Sequence, residues 1–286
     1  MSVFLAIFWH QLWGYRGAGV GWGLGLGGYA AMALSSWTVM RGQGDAILEV
    51  LKNYPPEMMA FFGDLTRITQ PAGFLDVYFF AFMPLIFGIF LIGASTGLLV
   101  QDEEAGRLDL LMAYPASRAT LFAARTCALL AATVGLLVIP YVTLVVGAPM
   151  VELPVGAGEL ALPFAGAFTL SVLFVGIGLL ASLCLPSRRS ALMVSGMLLV
   201  ASYLFPPLAE LNSSLEPVAA LVPGYYYQGG EALEDFKLAP VLGFLAFAAV
   251  LLAASMALFG RRDIRVGGEG NLSWLRGIRA VTRDSG

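Results

Sequence analysis

Residues 99–122 of this chain read LVQDEEAGRLDLLMAYPASRATLF, a charged stretch between two long apolar runs. Three consecutive acids, Asp102, Glu103 and Glu104, stand near its start, and a leucine-rich run leads to Pro115. The apolar runs on either side are each long enough to cross a lipid bilayer, which takes about 20 mostly apolar residues. The stretch therefore marks a place where the chain leaves a membrane and enters it again.

Composition predicts a membrane protein. The 286 residues are 58% hydrophobic and only 12% charged, with a mean hydropathy of +0.80. A soluble domain carries about 25% charged residues, so the surface that meets water must be small here. We predict an all-α integral membrane protein that forms a single transmembrane domain over residues 1–286.

The apolar runs predict six transmembrane helices, because each is close to the required length. The second run contains Pro84, which predicts a kink. Residues 1–16 are aromatic, are interrupted by His10 and Gln11, and are too short to span, so we expect an interfacial (elbow) helix there. The predicted spans cover about residues 18–40, 74–100, 126–149, 163–185, 190–208 and 238–260.

The basic residues predict the side on which each loop lies. With the N-terminus inside the cell, the inner segments hold twelve arginines, whereas the outer segments hold two arginines and two lysines. This excess follows the positive-inside rule. We therefore expect a multi-pass protein of the plasma (cell inner) membrane with both termini cytoplasmic. Residues 101–120 and the tail, residues 261–286, then lie in the cytosol.

The start of the 101–120 segment favours a short helix. Asp102 can cap it, and Glu103 and Glu104 lie in its first turn, where acids interact favourably with the helix dipole. Glu103 and Arg107 are four residues apart and can pair on the exposed face.

The rest of the segment favours an amphipathic helix that ends sharply. Leu108, Leu111 and Met112 share one face, Pro115 ends the helix, and Ser117 can cap the next one. One alternative is an inner loop that rests on anionic lipid. Because the acids would be repelled by the negative leaflet, a protein partner with basic residues fits the segment better.

The string EAGRLDLLMAYPASR at residues 104–118 resembles a segment that follows the second span in type-2 ABC (ABC-2 type) exporter permeases. That family's pattern is approximately E-x-G-T-L-E-L-L-L-A-x-P-x-S-R. The chain departs from the family at Arg107, where threonine is common, and at Arg125, near where a lysine is common. The most specific matches are Gly106, Leu108, Leu110, Leu111, Pro115, Ser117 and Arg118.

The resemblance implies a permease subunit that dimerises with a second permease, identical or homologous, and docks cytosolic ABC ATPase subunits. Those partners would bind the ATP and Mg²⁺, and the helix at residues 101–120 would be the coupling helix seated in a cleft of the ATPase. The implied contact residues are Asp102, Glu103, Glu104, Gly106, Arg107, Leu108, Leu111, Met112, Pro115, Ser117 and Arg118.

Residues 17–28, GAGVGWGLGLGG, contain a GxGxxG match that could be mistaken for a dinucleotide-binding loop. That loop needs a preceding strand and a soluble helix after it, whereas this match lies inside a predicted span. At helical spacing the glycines form two rows that let helices approach closely in lipid. We expect packing on two sides, against the chain's own bundle and against a second subunit. The rows are Gly17, Gly21 and Gly25, and Gly19, Gly23 and Gly27.

Catalytic chemistry finds little support in the sequence. His10 is the only histidine, and neither a GxSxG motif nor a Walker A loop occurs. Cys127 and Cys184 both lie in apolar segments, which favours packing over a disulfide. We expect no catalytic residue, no cofactor or metal in this chain, and no nucleic-acid partner.

The sequence leaves two roles open for the outer segments. Residues 45–66 form two short amphipathic pieces, and residues 209–237 resemble an interfacial cap with an aromatic belt at Tyr225, Tyr226 and Tyr227. Both can rest on the outer leaflet or line an exit route for an amphiphile.

Few charges lie within the predicted spans. Asp76, Glu159 and Glu210 lie near outer boundaries, where we expect them to face water. Because no charge lies at mid-membrane, a secondary transporter is disfavoured.

The function predicted from these features is the permease of an ATP-driven exporter. Amphiphilic or hydrophobic substrates, such as drugs, antibiotics or lipids, are favoured because the spans offer few polar contacts. A non-transporting membrane scaffold with a docking helix and a secondary transporter subunit remain as alternatives, and an intramembrane enzyme has almost no support.

Overall fold

The computed structural model describes residues 2–51, 53, 55, 67–100 and 117–261. Every regular element in these residues is helical. The α-helices are α1 (Val3–Gly14), α2 (Arg16–Leu51), α3 (Pro71–Leu75), α4 (Met83–Gly97), α5 (Arg118–Gly147), α6 (Ala157–Cys184), α7 (Arg188–Leu211), α8 (Glu216–Ala219) and α9 (Leu238–Arg261). A π-helical turn (Asp76–Phe80) joins α3 to α4, and short 3-10 helices are Pro149–Val151, Ser213–Leu215, Pro223–Tyr226 and Gly229–Leu233.

Within the described residues, five helical segments are long and apolar enough to cross a membrane, by length and composition. They coincide with predicted spans two to six. The first predicted span lies within α2, which has 36 residues but is rich in glycine and therefore less apolar. The all-α membrane fold is confirmed, whereas the first predicted span, and with it the count of six, stays a prediction. The five segments are Pro71–Gly97, Arg118–Val151, Ala157–Cys184, Arg188–Leu211 and Leu238–Arg261.

Helix α6 lies at the centre of the bundle. It packs against α4, α5, α7 and α9, and it is the most buried of the five apolar segments. Its sequence is apolar on all sides, as expected of a helix surrounded by others. Small residues allow the close contact with α4, since a Cβ on Gly178 would lie only 2.0 Å from the Ser95 Oγ.

The second span is interrupted before Pro84, close to the predicted kink. Pro84 has no backbone N–H to donate to the carbonyl of Phe80, four residues earlier. The chain forms a π-helical turn there, in which the Ala81 N–H donates to the Asp76 carbonyl at 2.8 Å. This turn buries the rings of Phe79 and Phe80, which both pack near Phe164 of the central helix.

The predicted N-terminal elbow is the helix α1. The hydroxyl of Ser2 caps it by accepting the Leu5 N–H at 3.4 Å. The helix packs on α5, and Trp9 and Trp13 are exposed on its surface. Its placement in the membrane interface stays a prediction.

Contacts between helix termini define two ends of the bundle. At one end, which we call the 100/117 end, lie Val100, where the second span leaves the bundle, and Ser117, where α5 begins. At the opposite end, ion pairs join Arg41 to Glu152 and Arg67 to Glu234. Helices that alternate in direction, as membrane spans joined by short loops do, produce this arrangement.

A cap, defined here as residues 212–237, covers the end opposite Val100 and Ser117. It follows α7 and consists of short helical turns. Tyr225 and Tyr226 are exposed on it, whereas Tyr227 turns inward and its hydroxyl is buried. The cap is therefore folded against the bundle, and its relation to the outer leaflet stays a prediction.

Candidate functional site

Most of the predicted coupling region lies outside the described residues. This applies to Asp102, Glu103, Glu104, Gly106, Arg107, Leu108, Leu111, Met112 and Pro115, and equally to the second of the two amphipathic pieces, at 56–66, and to the tail at 262–286. The structure describes both flanks of the region, which are the end of α4 with residues 98–100 and the start of α5. The candidate site is built from these flanks.

Ser117 starts α5 by a side-chain cap. Its hydroxyl oxygen accepts the Thr120 N–H at 3.1 Å, and the helix begins at Arg118. A cap of this kind satisfies one of the free N–H groups of the first turn and stabilises a helix by about 1 kcal/mol. The third span therefore begins at a defined residue directly after the coupling region.

Arg125 joins α5 to the end of the second span. Its side chain is only 6% exposed, and its Nη1 donates to the backbone carbonyl of Leu98 at 2.8 Å. Leu98 follows the last residue of α4, where carbonyls lack donors within the helix. A buried charge is tolerated only when it is paired or hydrogen-bonded, and the carbonyl meets part of that need.

Arg188 holds the same end of α4 from the other side. It is the first residue of α7, and its Nη2 donates to the carbonyl of Gly93 at 3.1 Å. The guanidinium lies flat against the helix at Gly97, where an added Cβ would be 2.9 Å from Nη2 and 3.0 Å from Cζ. Glycine at this position therefore admits the arginine.

We call Arg125 and Arg188 the arginine clamp. Both guanidinium groups lie at the C-terminal end of α4, where the helix dipole is negative and cations are stabilising. Arg118 makes a longer contact of the same kind with the last span, with Nη1 3.5 Å from the carbonyls of Phe259 and Gly260. The 100/117 end is thus joined across four helices by arginines that bind backbone carbonyls.

The two glycine rows face different surroundings. A Cβ on Gly23 would lie 2.5 Å from Cδ1 of Ile139, and one on Gly27 would lie 3.2 Å from its Cγ2. This row therefore packs against α5, although its first member, Gly19, faces open space. All three members of the other row, Gly17, Gly21 and Gly25, have no atom within 4 Å of an added Cβ.

At the cap end, Asp76 is half-buried beneath residues 229–233 rather than facing water freely. Its Oδ1 accepts the Gly230 N–H at 2.6 Å. An added Cβ on Gly230 would lie 2.5 Å from the Asp76 Cβ and 2.7 Å from its Cα, so only glycine permits this contact. Gly229 has φ +52°, a left-handed conformation that glycine adopts without strain.

Sequence reasoning missed the clamp and the Asp76 contact. It placed Arg125 and Arg188 among the inner basic residues and read Asp76 as an interfacial residue. One signal was present: an arginine after the first turn of a long apolar helix must find a partner, because ionisable groups in such helices are costly.

In the described residues, no group of three His, Cys, Asp or Glu side chains could hold a metal ion.

Comparison with known proteins identifies the family. The model of the ABC-2 family transporter proteins matches residues 29–264, which include all five apolar segments. A search of curated proteins finds no match. The match covers most of the chain and confirms the resemblance carried by residues 104–118. The protein is a multi-pass membrane transport component, and the chain belongs to the ABC-2 transporter family.

Proposed function

We propose that this chain is the permease subunit of an ATP-driven exporter that moves an amphiphilic or hydrophobic substrate across the plasma membrane. A separate cytosolic ABC ATPase binds the ATP and Mg²⁺ and docks on the coupling region at residues 101–120. The arginine clamp is the observation that carries this proposal. It joins the helices on both flanks of that region, so a force on the region reaches several spans together.

The clamp supports a specific route for the movement. The second span leads into the coupling region and α5 leaves it, and the bond from Arg125 to the Leu98 carbonyl ties these two flanks directly. Arg188 adds the start of α7 through the Gly93 carbonyl. A displacement of the coupling helix by the ATPase therefore moves α4, α5 and α7 as a unit instead of separating them.

The interior of the bundle favours an apolar or amphiphilic substrate. Its buried hydroxyl groups mostly donate to carbonyls of their own helices, as Thr96 does to Ile92 at 2.6 Å and Thr133 to Leu129 at 2.8 Å. Such groups are satisfied internally and have little to offer a polar solute. Export of a drug, an antibiotic or a lipid-like compound fits this lining better than export of a sugar or an amino acid.

The open glycine row supports a second permease subunit, identical or homologous. Gly17, Gly21 and Gly25 lie on the side of α2 that no described residue covers, and Val20 and Leu24 beside them are 63% and 74% exposed. In lipid, rows of small residues bring helix backbones into contact. We place the permease–permease contact on this side of α2.

The proposal is tested by measuring ATPase activity of the purified complex in lipid nanodiscs. Glu104→Ala combined with Leu108→Arg removes an acid and inserts a charge in the predicted docking face. In this variant, the stimulation of the ATPase by the permease should fall at least tenfold. A matched control, Asp235→Ala combined with Leu221→Arg, also removes an acid and inserts a positive charge, at exposed positions of the cap, and should retain the stimulation.

The outcomes separate the alternatives. If no Walker-motif ATPase co-purifies with the chain, the exporter proposal is wrong. If an ATPase binds but its activity is indifferent to the permease and to the double variant, the chain is a docking scaffold. If substrate crosses vesicles in response to an ion gradient without ATP, it is a secondary transporter.

A further inference from the structure

A long groove runs between α2 and α5 on the surface of the bundle. Its volume is about 640 Å³, which lies within the range of about 300–1,000 Å³ that ligand pockets span. Its lining is almost entirely apolar and is rich in small residues, among them Gly23 and Gly27 of α2 and Ala132 and Gly135 of α5. The groove therefore offers an apolar bed for a narrow, flexible chain.

The length of the groove matches one leaflet of a bilayer. The helices α2 and α5 run in the same direction, because their close approaches advance along both of them, from Gly23 with Ile139 to Leu34 with Gly147. From its first residue to Gly28, α2 lines the groove for about 18 Å, given the rise per residue of an α-helix. The hydrocarbon core of a bilayer is about 30 Å thick, and one leaflet is half of that. One acyl chain of a lipid therefore fits along the groove.

A positive charge lies at one end of the groove. Among the described residues that line the groove, Arg16 is the only charged one. It is exposed, and its side chain forms no ion pair or hydrogen bond with any described residue. Arg125 lies close enough to the neighbouring Tyr15 to act on its hydroxyl electrostatically, which adds to the positive potential. An anionic group at this end is stabilised by a charge-assisted hydrogen bond from Arg16.

The position of this end favours a lipid headgroup. Because α2 and α5 are parallel, Arg16 lies on the side of the groove that faces the 100/117 end. Trp9 and Trp13 are exposed on the adjoining helix α1, and tryptophan is enriched at the level of the headgroups. Toward the other end of the groove, the Thr143 hydroxyl already donates to the Ile139 carbonyl at 2.9 Å. The groove thus has a basic end at headgroup level and an apolar remainder, which complements an anionic phospholipid.

We propose that the groove between α2 and α5 binds one acyl chain of an anionic phospholipid whose phosphate pairs with Arg16. A second copy of this chain fits the groove less well, because symmetry about the membrane normal keeps Arg16 of both copies at the same depth, where like charges repel. The lipid lies beside the proposed permease contact, since Val20 and Leu24 line the groove and are exposed. This binding does not rest on the proposed exporter function.

The test uses the delipidated full-length chain in a nonionic detergent. Dioleoylphosphatidylglycerol and dioleoylphosphatidylcholine are probes with the same acyl chains, and only the first carries a net negative charge. Native mass spectrometry measures the affinity of each lipid and the number of chains in each particle. We expect saturable binding of phosphatidylglycerol that is about fivefold tighter than that of phosphatidylcholine, as one arginine near an anionic headgroup provides. Equal affinities for the two lipids overturn the proposal.

One variant tests the headgroup contact. Arg16→Gln should lower the affinity for phosphatidylglycerol about fivefold and leave the affinity for phosphatidylcholine unchanged, since it removes only the charge. The matched control is Arg189→Gln, which removes an exposed arginine that does not line the groove and should change neither affinity. If Arg16→Gln binds phosphatidylglycerol as tightly as the wild type does, the headgroup lies elsewhere and the proposal is wrong.

A second variant tests the acyl chain. Gly135→Leu fills the groove from α5 and should fold normally, because no atom lies within 4 Å of an added Cβ. It should weaken the binding of both lipids several-fold. The control Gly243→Leu adds the same side chain in open space on α9 and should leave both affinities unchanged. If Gly135→Leu leaves lipid binding unchanged, the acyl chain lies elsewhere; if it also converts dimers into monomers, a second copy occupies the groove. Either result overturns the proposal.

Discussion

Replacement of Arg125 by methionine tests the arginine clamp directly. Methionine keeps most of the length and packing of the side chain but has no donor for the Leu98 carbonyl. The bond that is lost is 2.8 Å long, involves a charged donor, and lies in a buried position. A hydrogen bond to a charged group contributes about 1.5–3 kcal/mol, so we expect the free energy of unfolding to fall by about 2 kcal/mol.

The expected loss is measurable as a thermal shift. For a chain of this size, 1 kcal/mol corresponds to about 2–4 °C in Tm, so Arg125→Met should lower Tm by about 4–8 °C. Intrinsic tryptophan fluorescence of the protein in nanodiscs follows the transition. Arg125→Lys keeps a charge but not the planar fork of donors, so its Tm should lie between those of the wild type and Arg125→Met.

The matched control is Arg189→Met. Arg189 is an exposed neighbour in the same turn as Arg188, and exposed substitutions usually change stability by less than about 0.5 kcal/mol. If Arg125→Met has the same Tm as the wild type, or if Arg189→Met lowers Tm as much as Arg125→Met does, the clamp does not stabilise the 100/117 end and the reasoning fails.

Three further predictions concern the cap, the start of the third span and the open face of α2. Gly230→Ala should detach the cap from the second span, because its Cβ would meet backbone atoms. Faster proteolysis within the cap measures this detachment. The control Gly243→Ala faces open space and should leave the rate of proteolysis unchanged. Ser117→Ala should lower stability by about 1 kcal/mol through loss of the helix cap, and an unchanged Tm would contradict it. Gly21→Leu should convert a permease dimer into monomers in cross-linking and mass measurements, with the monomer still folded. Gly23→Leu should instead unfold or destabilise the monomer, since that side of α2 is occupied; the same behaviour in both would refute the assignment of the two faces.

Much of the fold follows from local sequence patterns. Runs of about 20 apolar residues predict where each span lies, and the boundaries of the five apolar segments, from Pro71–Gly97 and Arg118–Val151 to Leu238–Arg261, differ from those of predicted spans two to six by at most eight residues. The interruption of the second span follows from Pro84, which removes a backbone donor. The first predicted span is not among these five segments, because the glycines of α2 lower its hydropathy. The same glycines favour helix packing in lipid.

The contacts at the candidate site are harder to predict from the sequence, because they join distant parts of the chain. Arg125 reaches a carbonyl 27 residues away, Arg188 one that is 95 residues away, and Asp76 a backbone N–H that is 154 residues away. Periodicity reports only which residues share a face of one helix. It cannot report which carbonyl of another helix lies within 3 Å of a side chain.

The sequence alone therefore determined that this protein is an all-α membrane protein of the ABC-2 kind, with a charged segment between its second and third spans. These properties depend on residue type and short-range spacing, since hydrophobic length and the 104–118 motif are both local. Only the tertiary structure decided that α6 is the central helix, that the arginine clamp holds the end of α4, and that Asp76 accepts a hydrogen bond from the backbone of the cap. Those features arise from packing, where side chains from separate helices must satisfy one another's charges and hydrogen bonds in a region with little water.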